Sequence, residues 1–362
     1  MRLPTLVLMG LLCAAPMVAK AQETSPKVVV VSLDGVRWRE IFSGADPRLT
    51  ADKTFMHQDI RSDVIDPAFV VPKDRAAALT PFLHSVEAQG GVLLGDRDAG
   101  ACMSVANDLW YSYPGYSEFL SGAPDPDLTT NDKVPNRNVT VFEHLQRRPD
   151  FAGAVAAVGA WEVFPYIFNA DRSHVPVNVP LEGRYPSDVR TATAALQMLR
   201  SHHYRALYVA FGDTDEFAHA GDYAGYLLSI ERADAFIGEV WRLLQSDPWY
   251  KDRTTLFVTT DHGRGLTPLG AWREHGSARS YQLDPSEDPA YKNTGAIGSN
   301  EVWLAALGPK IDPRGKAAYT TAHCAHSAQL AASIATALNV NWRDLSPRPG
   351  VSMAAPFAFV TP

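Results

Sequence analysis

Lys27-Val28-Val29-Val30-Val31-Ser32-Leu33-Asp34-Gly35 is a continuous apolar, β-branched run that stops at Asp-Gly. Such a run reads as a buried strand whose carboxyl end opens into a loop. The pattern recurs. Ala206 to Phe211 ends at Gly212-Asp213, and Leu256 to Thr260 ends at Asp261-His262. Gly153 to Val158 and Val302 to Leu307 are further strand-like runs. Helical signals lie between them. Thr80-Pro81 offers a cap and a first-turn proline, with Gly90-Gly91 as the stop. Ser187 precedes Thr191, Ala195 and Leu199, and Ile230, Ala233, Ile237, Val240, Trp241 and Leu244 recur at helical spacing. A small-residue helix spans Ala328 to Leu338. Strands alternating with helices predict an α/β fold, a mostly parallel sheet with helices on both faces. The stretches near 42–73 and 267–298 are polar and interrupted by prolines or glycines. They are expected as insertions passing over the sheet, placed to cap a substrate.

The chain of 362 residues, 46% hydrophobic and 20% charged, has the balance of a soluble globular protein. One large domain over 22–362 accounts for it. A formal net charge of -7 without any lysine/arginine block leaves no nucleic-acid footprint, so no duplex partner is expected. A small anionic substrate needs only a local positive site. Arg2, the apolar stretch Leu6 to Val18 and Ala19-Lys20-Ala21 read as a cleavable secretory signal over 1–21. That predicts a periplasmic or secreted protein. The apolar stretch is shorter than the ~20 residues a membrane span needs, so no transmembrane segment is expected in the mature chain. Cys102 and Cys324 remain after cleavage, and an oxidising compartment would let them pair. Their spacing does not decide whether they do.

In parallel sheets ligands gather at the carboxyl ends of the strands. Three strands here end in metal-type residues: Asp34, the segment Asp213 to His219, and Asp261-His262. A lone aspartate after a strand is usually a turn residue or a cap. Three such ends converging would crowd several carboxylates together, which is costly without a cation. Carboxylate oxygen and imidazole nitrogen are common zinc ligands. Asp215 and His219 stand four apart, so one helical turn puts both on one face. Asp213 and Glu216 lack that spacing to His219.

The pattern resembles the alkaline-phosphatase superfamily and, within it, the type I phosphodiesterase/nucleotide pyrophosphatase branch. The resemblance rests on Val30 to Gly35, on Ser112-Tyr113-Pro114-Gly115-Tyr116 with Ser121-Gly122, on Asp215 to His219, on Thr259 to Gly263, and on Glu274-His275-Gly276. These pieces occur in the family's order and span most of the mature chain. The resemblance implies two divalent metal ions, expected as zinc. Asp215, His219 and His275 would hold one; Asp34, Asp261 and His262 would hold the other, which would also touch the hydroxyl of Ser112. It further implies hydrolysis of phosphate esters, diester or monoester, through a phosphoryl-enzyme intermediate on Ser112. The branch more often carries threonine there. Ser104, Ser117 and Ser121 are the competing hydroxyls, and His323 and His326 compete with His275. His202 and His203 precede a strand at its opposite end.

Asn131 lies at about the distance where the branch places a phosphate-binding asparagine, with Asn107 and Asn136 as competitors. Arg37 would either reach a phosphate or pair with Glu40. Tyr111, Tyr113 and Tyr116 surround Ser112 and would stack on a leaving group or pack in the core. A sulfatase would need arginine where Tyr116 stands. The alternatives are a phosphonate hydrolase or metal-dependent phosphomutase of the same superfamily, or a non-catalytic member that binds metal or phosphate.

Overall fold

The computed structural model describes residues 24–180, 187–284 and 288–362; the expected signal segment 1–21 lies outside them. The strands among these residues are β1 (Lys27–Leu33), β2 (Val92–Leu94), β3 (Met103–Ser104), β4 (Val155–Gly159), β5 (Val177–Asn178), β6 (Ala206–Phe211), β7 (Thr254–Thr259), β8 (Glu301–Val302), β9 (Leu304–Leu307) and β10 (Ala325–His326). The helices that position the site are α1 (Ser112–Ser121), α2 (Val141–Gln146), α3 (Ser187–Ser201), α4 (Asp213–His219), α5 (Tyr223–Ser246) and α6 (Gln329–Ala337).

Seven strands form one sheet in the order β2-β9-β7-β1-β6-β4-β5. β1, all seven residues buried, lies at its centre and runs parallel to β6 and β7. Its side chains alternate between two cores, which is why the run is apolar throughout. Val28 and Val30 face Tyr113 and Phe119 of α1, Leu145 of α2 and Ile334 of α6. Val29, Val31 and Leu33 face Leu199 of α3 and Ile230 and Ile237 of α5. Both faces of the sheet are therefore covered by helices. The register pairs Leu33 with Phe211 and Ser32 with Thr259. The three strands therefore end nearly level, and Asp34, α4 and Asp261 emerge side by side.

Val302 to Leu307 does not form one strand. It divides at Trp303, which is fully buried and donates its indole N–H to the carbonyl of Val36 at 3.0 Å. β9 pairs antiparallel with β7, while β8 joins a small sheet of order β10-β3-β8. A disulfide links Cys102 to Cys324, Cα atoms 4.7 Å apart, beside the β3–β10 pair. Within 42–73 the backbone forms short helices, among them Pro47–Ala51, and a π-helical stretch over Arg61–Val70. The described part of 267–298 forms short helices over Leu269–Arg273, Ala278–Leu283 and Pro289–Tyr291.

Candidate metal centre

Just beyond β1 the backbone is tied to its neighbours on both sides. Thr214 donates its hydroxyl to the carbonyl of Asp34 at 2.5 Å, and the amide of Gly35 donates to Asp261 Oδ1 at 3.1 Å. The amide of Val36 donates to Thr260 Oγ1 at 3.1 Å. With Gly35 on Asp261 Oδ1 and the Tyr116 hydroxyl on Asp34 Oδ2, one oxygen of each carboxylate, Asp34 Oδ1 and Asp261 Oδ2, stays buried without a hydrogen-bond partner. Both face Nε2 of His262, at 3.3 and 3.4 Å. Nδ1 of His262 lies 2.8 Å from the carbonyl of Gly263. A carbonyl can only accept, so Nδ1 carries the proton and Nε2 presents its lone pair to the carboxylates when the ring is neutral.

Buried, unpartnered carboxylate oxygens are costly unless a cation faces them. The electrostatics agree. Burial, followed by the Asp34 carboxylate, holds Asp261 well above the usual carboxylate range. Burial opposes a charged His262, but Asp261 and Asp34 outweigh it and push the imidazole up to about 9. The cluster thus calls for positive charge, which a divalent ion supplies, and the residues fit such an ion.

The second cluster adjoins the first. The turn of α4 puts His219 Nε2 3.3 Å from Asp215 Oδ2. His275, between the short helices Leu269–Arg273 and Ala278–Leu283, sets its Nε2 3.0 Å from His219 Nε2 and 3.8 Å from Asp215 Oδ1. Burial, helped by the charges of His262 and His219, holds His275 well below the usual imidazole range, so its nitrogen is free to ligate. Donor atoms of Asp34, Asp261 and His262 lie within 4.8 Å of one another, and so do those of Asp215, His262 and His275. His262 therefore borders both clusters, whereas the sequence assigned it to one.

Ser112 begins α1 after an extended Tyr111. Its Oγ is 3.3 Å from His262 Nε2, where the clusters meet. Gly115 explains how the helix comes so close: a Cβ there would lie 2.4 Å from the carbonyl oxygen of Asp261. Asn131 Oδ1 accepts the amide of Tyr113 at 2.9 Å, which places Asn131 at the start of α1. The competing residues are engaged elsewhere. Ser104 accepts from Arg97, Ser117 bonds Asn136, and Ser121 donates to the carbonyl of Ala123. Asn107 serves Glu118, while His323 and His326 are exposed beside the disulfide. His203 stacks on Trp249. Asp213 takes no part in either cluster and lines a separate cavity with Asp188.

Arg37 corrects the phosphate reading. Its guanidinium is buried and forks onto the Glu40 carboxylate, so we do not assign it to substrate. Two groups escaped the sequence. Tyr116, read only as a ring beside Ser112, donates its hydroxyl to Asp34 Oδ2 at 2.9 Å. Arg264 is fully buried and pairs with Asp215 Oδ1; its place directly after Asp261-His262-Gly263 was the signal available. Beside the clusters opens a cavity of about 410 Å³ lined by Tyr111, Asn131, Asp132, His275, Tyr281 and Asp284, among others.

Residues 163–268 match the family model of the metalloenzyme superfamily. No curated protein matches the chain by sequence. Among solved structures it resembles murine ectonucleotide pyrophosphatase/phosphodiesterase 5, with 15% identity, coverage of 89% of this chain and 96% of that one, and a TM-score of 0.52. It also resembles a putative sulfatase from Bacteroides thetaiotaomicron (11% identity, 87% and 71% covered, TM-score 0.56). A third is the lipoteichoic acid synthase LtaP from Listeria monocytogenes (10% identity, 93% and 76% covered, TM-score 0.56). The family match spans 163–268, within the metalloenzyme superfamily, and over most of its length the chain shares the alkaline-phosphatase-like fold of these structures.

Proposed function

We propose that the protein hydrolyses phosphate esters, diesters in preference, through Ser112 beside a centre for two divalent ions. The observation that carries this reading is the 3.3 Å approach of Ser112 Oγ to His262 Nε2, the residue bordering both clusters. Asp34, Asp261 and His262 would hold one ion, and Asp215, His219 and His275 the other; zinc suits this oxygen and nitrogen donor set. When bound, such a pair supplies positive charge opposite the attacking and leaving oxygens of an in-line displacement.

The chain's own residues do the rest. A serine hydroxyl is a poor nucleophile, and the amino end of the ten-residue α1 favours negative charge on Ser112 Oγ. Oγ gives its proton to water and bonds phosphorus as the bond to the leaving oxygen breaks, and that oxygen takes up a proton from water and departs as the alcohol. Water then cleaves the phosphoserine and restores Ser112. Asn131 has its Oδ1 engaged by Tyr113, so its amide nitrogen is the group that can donate to a phosphoryl oxygen. The rings of Tyr111 and Tyr281 flank the leaving-group cavity, whose acidic lining residues are Asp132 and Asp284, with no lysine or arginine in the lining among the described residues. That lining offers no cation to the second negative charge of a monoester's phosphate, and so favours a diester, whose phosphate carries one. Tyr116, buried and bonded to Asp34, argues against a sulfatase, which would need arginine there. The disulfide fits an oxidising compartment and thus an exported protein. Among the described residues no helix is long and apolar enough to cross a membrane.

The test is hydrolysis of paired aryl phosphate monoester and diester substrates by the zinc-loaded protein, beside Ser112→Ala and a chelated sample. The reading expects loss of activity in both and a faster diester. Full activity in Ser112→Ala, or insensitivity to chelator, would sink it. Asp261→Ala should lower bound metal as well as rate.

A further inference from the structure

We infer that the two ion positions are unequal in strength, and that Arg264 makes them so by neutralising Asp215. The inference rests on the metal-centre reading above and concerns how the centre is filled.

The two clusters differ in charge. Asp34 and Asp261 contribute two carboxylates, neither of which forms an ion pair with lysine or arginine among the described residues. Each keeps one buried oxygen with no hydrogen-bond partner. The other cluster contributes one carboxylate, Asp215, and two imidazoles, and its carboxylate is already shared. Nη2 of Arg264 pairs with Asp215 Oδ1. The guanidinium is held in place by two further carbonyls: Nε donates to Gly35 at 3.1 Å and Nη1 to Arg273 at 2.7 Å. Its side chain is fully buried, so it cannot swing aside into water.

Gly35 makes this placement possible. Its φ is +61°, and a Cβ there would lie 2.9 Å from Nε and Nη2 of Arg264 and from Asp215 Oδ1. The residue that follows the ligand Asp34 thus leaves room for a cation against the ligand of the neighbouring position.

The usual outer partner of a ligand orients it and strengthens its donor character. A guanidinium does the opposite for charge. It occupies one oxygen of Asp215 and repels an ion approaching the other, in a buried setting where screening is weak. The Asp34/Asp261/His262 position should therefore fill first and hold its ion, while the Asp215/His219/His275 position exchanges its ion with solution. His219, 43% exposed at its side chain, gives that second position an open flank.

The experiment needs no substrate. The full chain is loaded with zinc and titrated with a competing chelator, and bound zinc is counted. The expected result is two equivalents on loading, the first removed at a chelator concentration at least about tenfold below the second. Asp215→Asn should abolish the easily removed equivalent and Asp34→Asn the tight one. Arg264→Met should narrow the gap, and Arg264→Lys, which keeps the charge, should preserve it. Two ions that leave together in the unaltered protein overturn this inference alone. So does weaker zinc retention at the labile position in Arg264→Met, which would make Arg264 an orienting donor rather than a competing charge. If Arg264→Met does not fold, Arg264→Gln takes its place as the uncharged variant, and an unchanged gap there overturns the role given to Arg264. Zinc binding at neither position overturns this inference together with the hydrolase reading.

Discussion

The hydroxyl of Tyr116 donates to Oδ2 of Asp34 at 2.9 Å, across 82 residues of sequence, and turns Oδ1 of the same carboxylate toward His262. One bond thus ties the helix carrying Ser112 to the strand end carrying a proposed ligand. Tyr116→Phe removes the donor and keeps the packing against Phe119 and Phe164. Zinc affinity of the tight position should fall by roughly 10- to 100-fold, the usual effect of losing an outer partner of a ligand. Chelator titration beside kcat on the diester substrate checks this. Unchanged affinity would contradict the orienting role.

Gly115 faces the backbone of Asp261 with no room for a side chain. A Cβ would meet a carbonyl oxygen that cannot rotate away. Gly115→Ala should therefore push α1 off the strand end, costing about 1–3 kcal/mol of stability. Ser112 would retreat from His262, and kcat should fall more than KM rises. Urea unfolding and steady-state kinetics measure the two effects.

Glu118, fully buried on α1, accepts hydrogen bonds from the amides of Ala106, Asn107 and Ala328, from the side-chain amide of Asn107 and from the hydroxyl of Ser327. Asn107 in turn accepts the amides of Leu109 and Trp110, so the network shapes the loop that leads into Ser112. Glu118→Gln would turn an NH₂ group toward donors and leave them unsatisfied. The expected cost is about 2–3 kcal/mol, with a lower kcat. An unchanged unfolding midpoint in urea would refute it.

Asp234 predicts a pH effect far from the metals. It is buried on α5 and accepts the amides of Phe82 and Leu83 at 2.8 and 2.9 Å, where the helix Pro81–Ser85 begins. Burial pushes its carboxyl up to about 6, above the ordinary value of 3.8. The folded state therefore binds this proton more tightly than the unfolded state. The group's contribution is most favourable at low pH and declines as pH rises through about 4 to 6. Relative to Asp234→Asn, the unaltered protein should gain stability on going from pH 7 to pH 5, by about 1 kcal/mol. Denaturation midpoints of both proteins across that range check the sign; parallel curves would contradict it.

Local patterns carried much of this in the sequence. The runs at Lys27, Ala206 and Leu256 became the central strands, because a strand buried on both faces must be apolar at every position. Asp215 and His219 meet because four residues make about one helical turn. Ser112 heads a helix ended by Gly122 in the left-handed conformation, a stop that glycine supplies without strain. Strand ends and the i,i+4 spacing marked Asp34, Asp215, His219, Asp261 and His262 as candidates, whereas His275 and the role of Ser112 came from the family resemblance.

What remained hidden depends on contacts between distant segments. Whether Cys102 and Cys324 pair follows from β3 lying beside β10, which no spacing encodes. Arg37 was ambiguous until packing buried it against Glu40, where an unpaired charge could not persist. Only the fold placed His262 between two clusters, put Tyr116 on Asp34 and set Arg264 against Asp215. The sequence by itself determined the strand-and-helix alternation and the donor types at the strand ends, because both are written in nearest-neighbour chemistry and periodicity. The tertiary structure alone decided which donors share a centre and which charge opposes it, because that depends on the level register of β1, β6 and β7 and on the space left at Gly35 and Gly115.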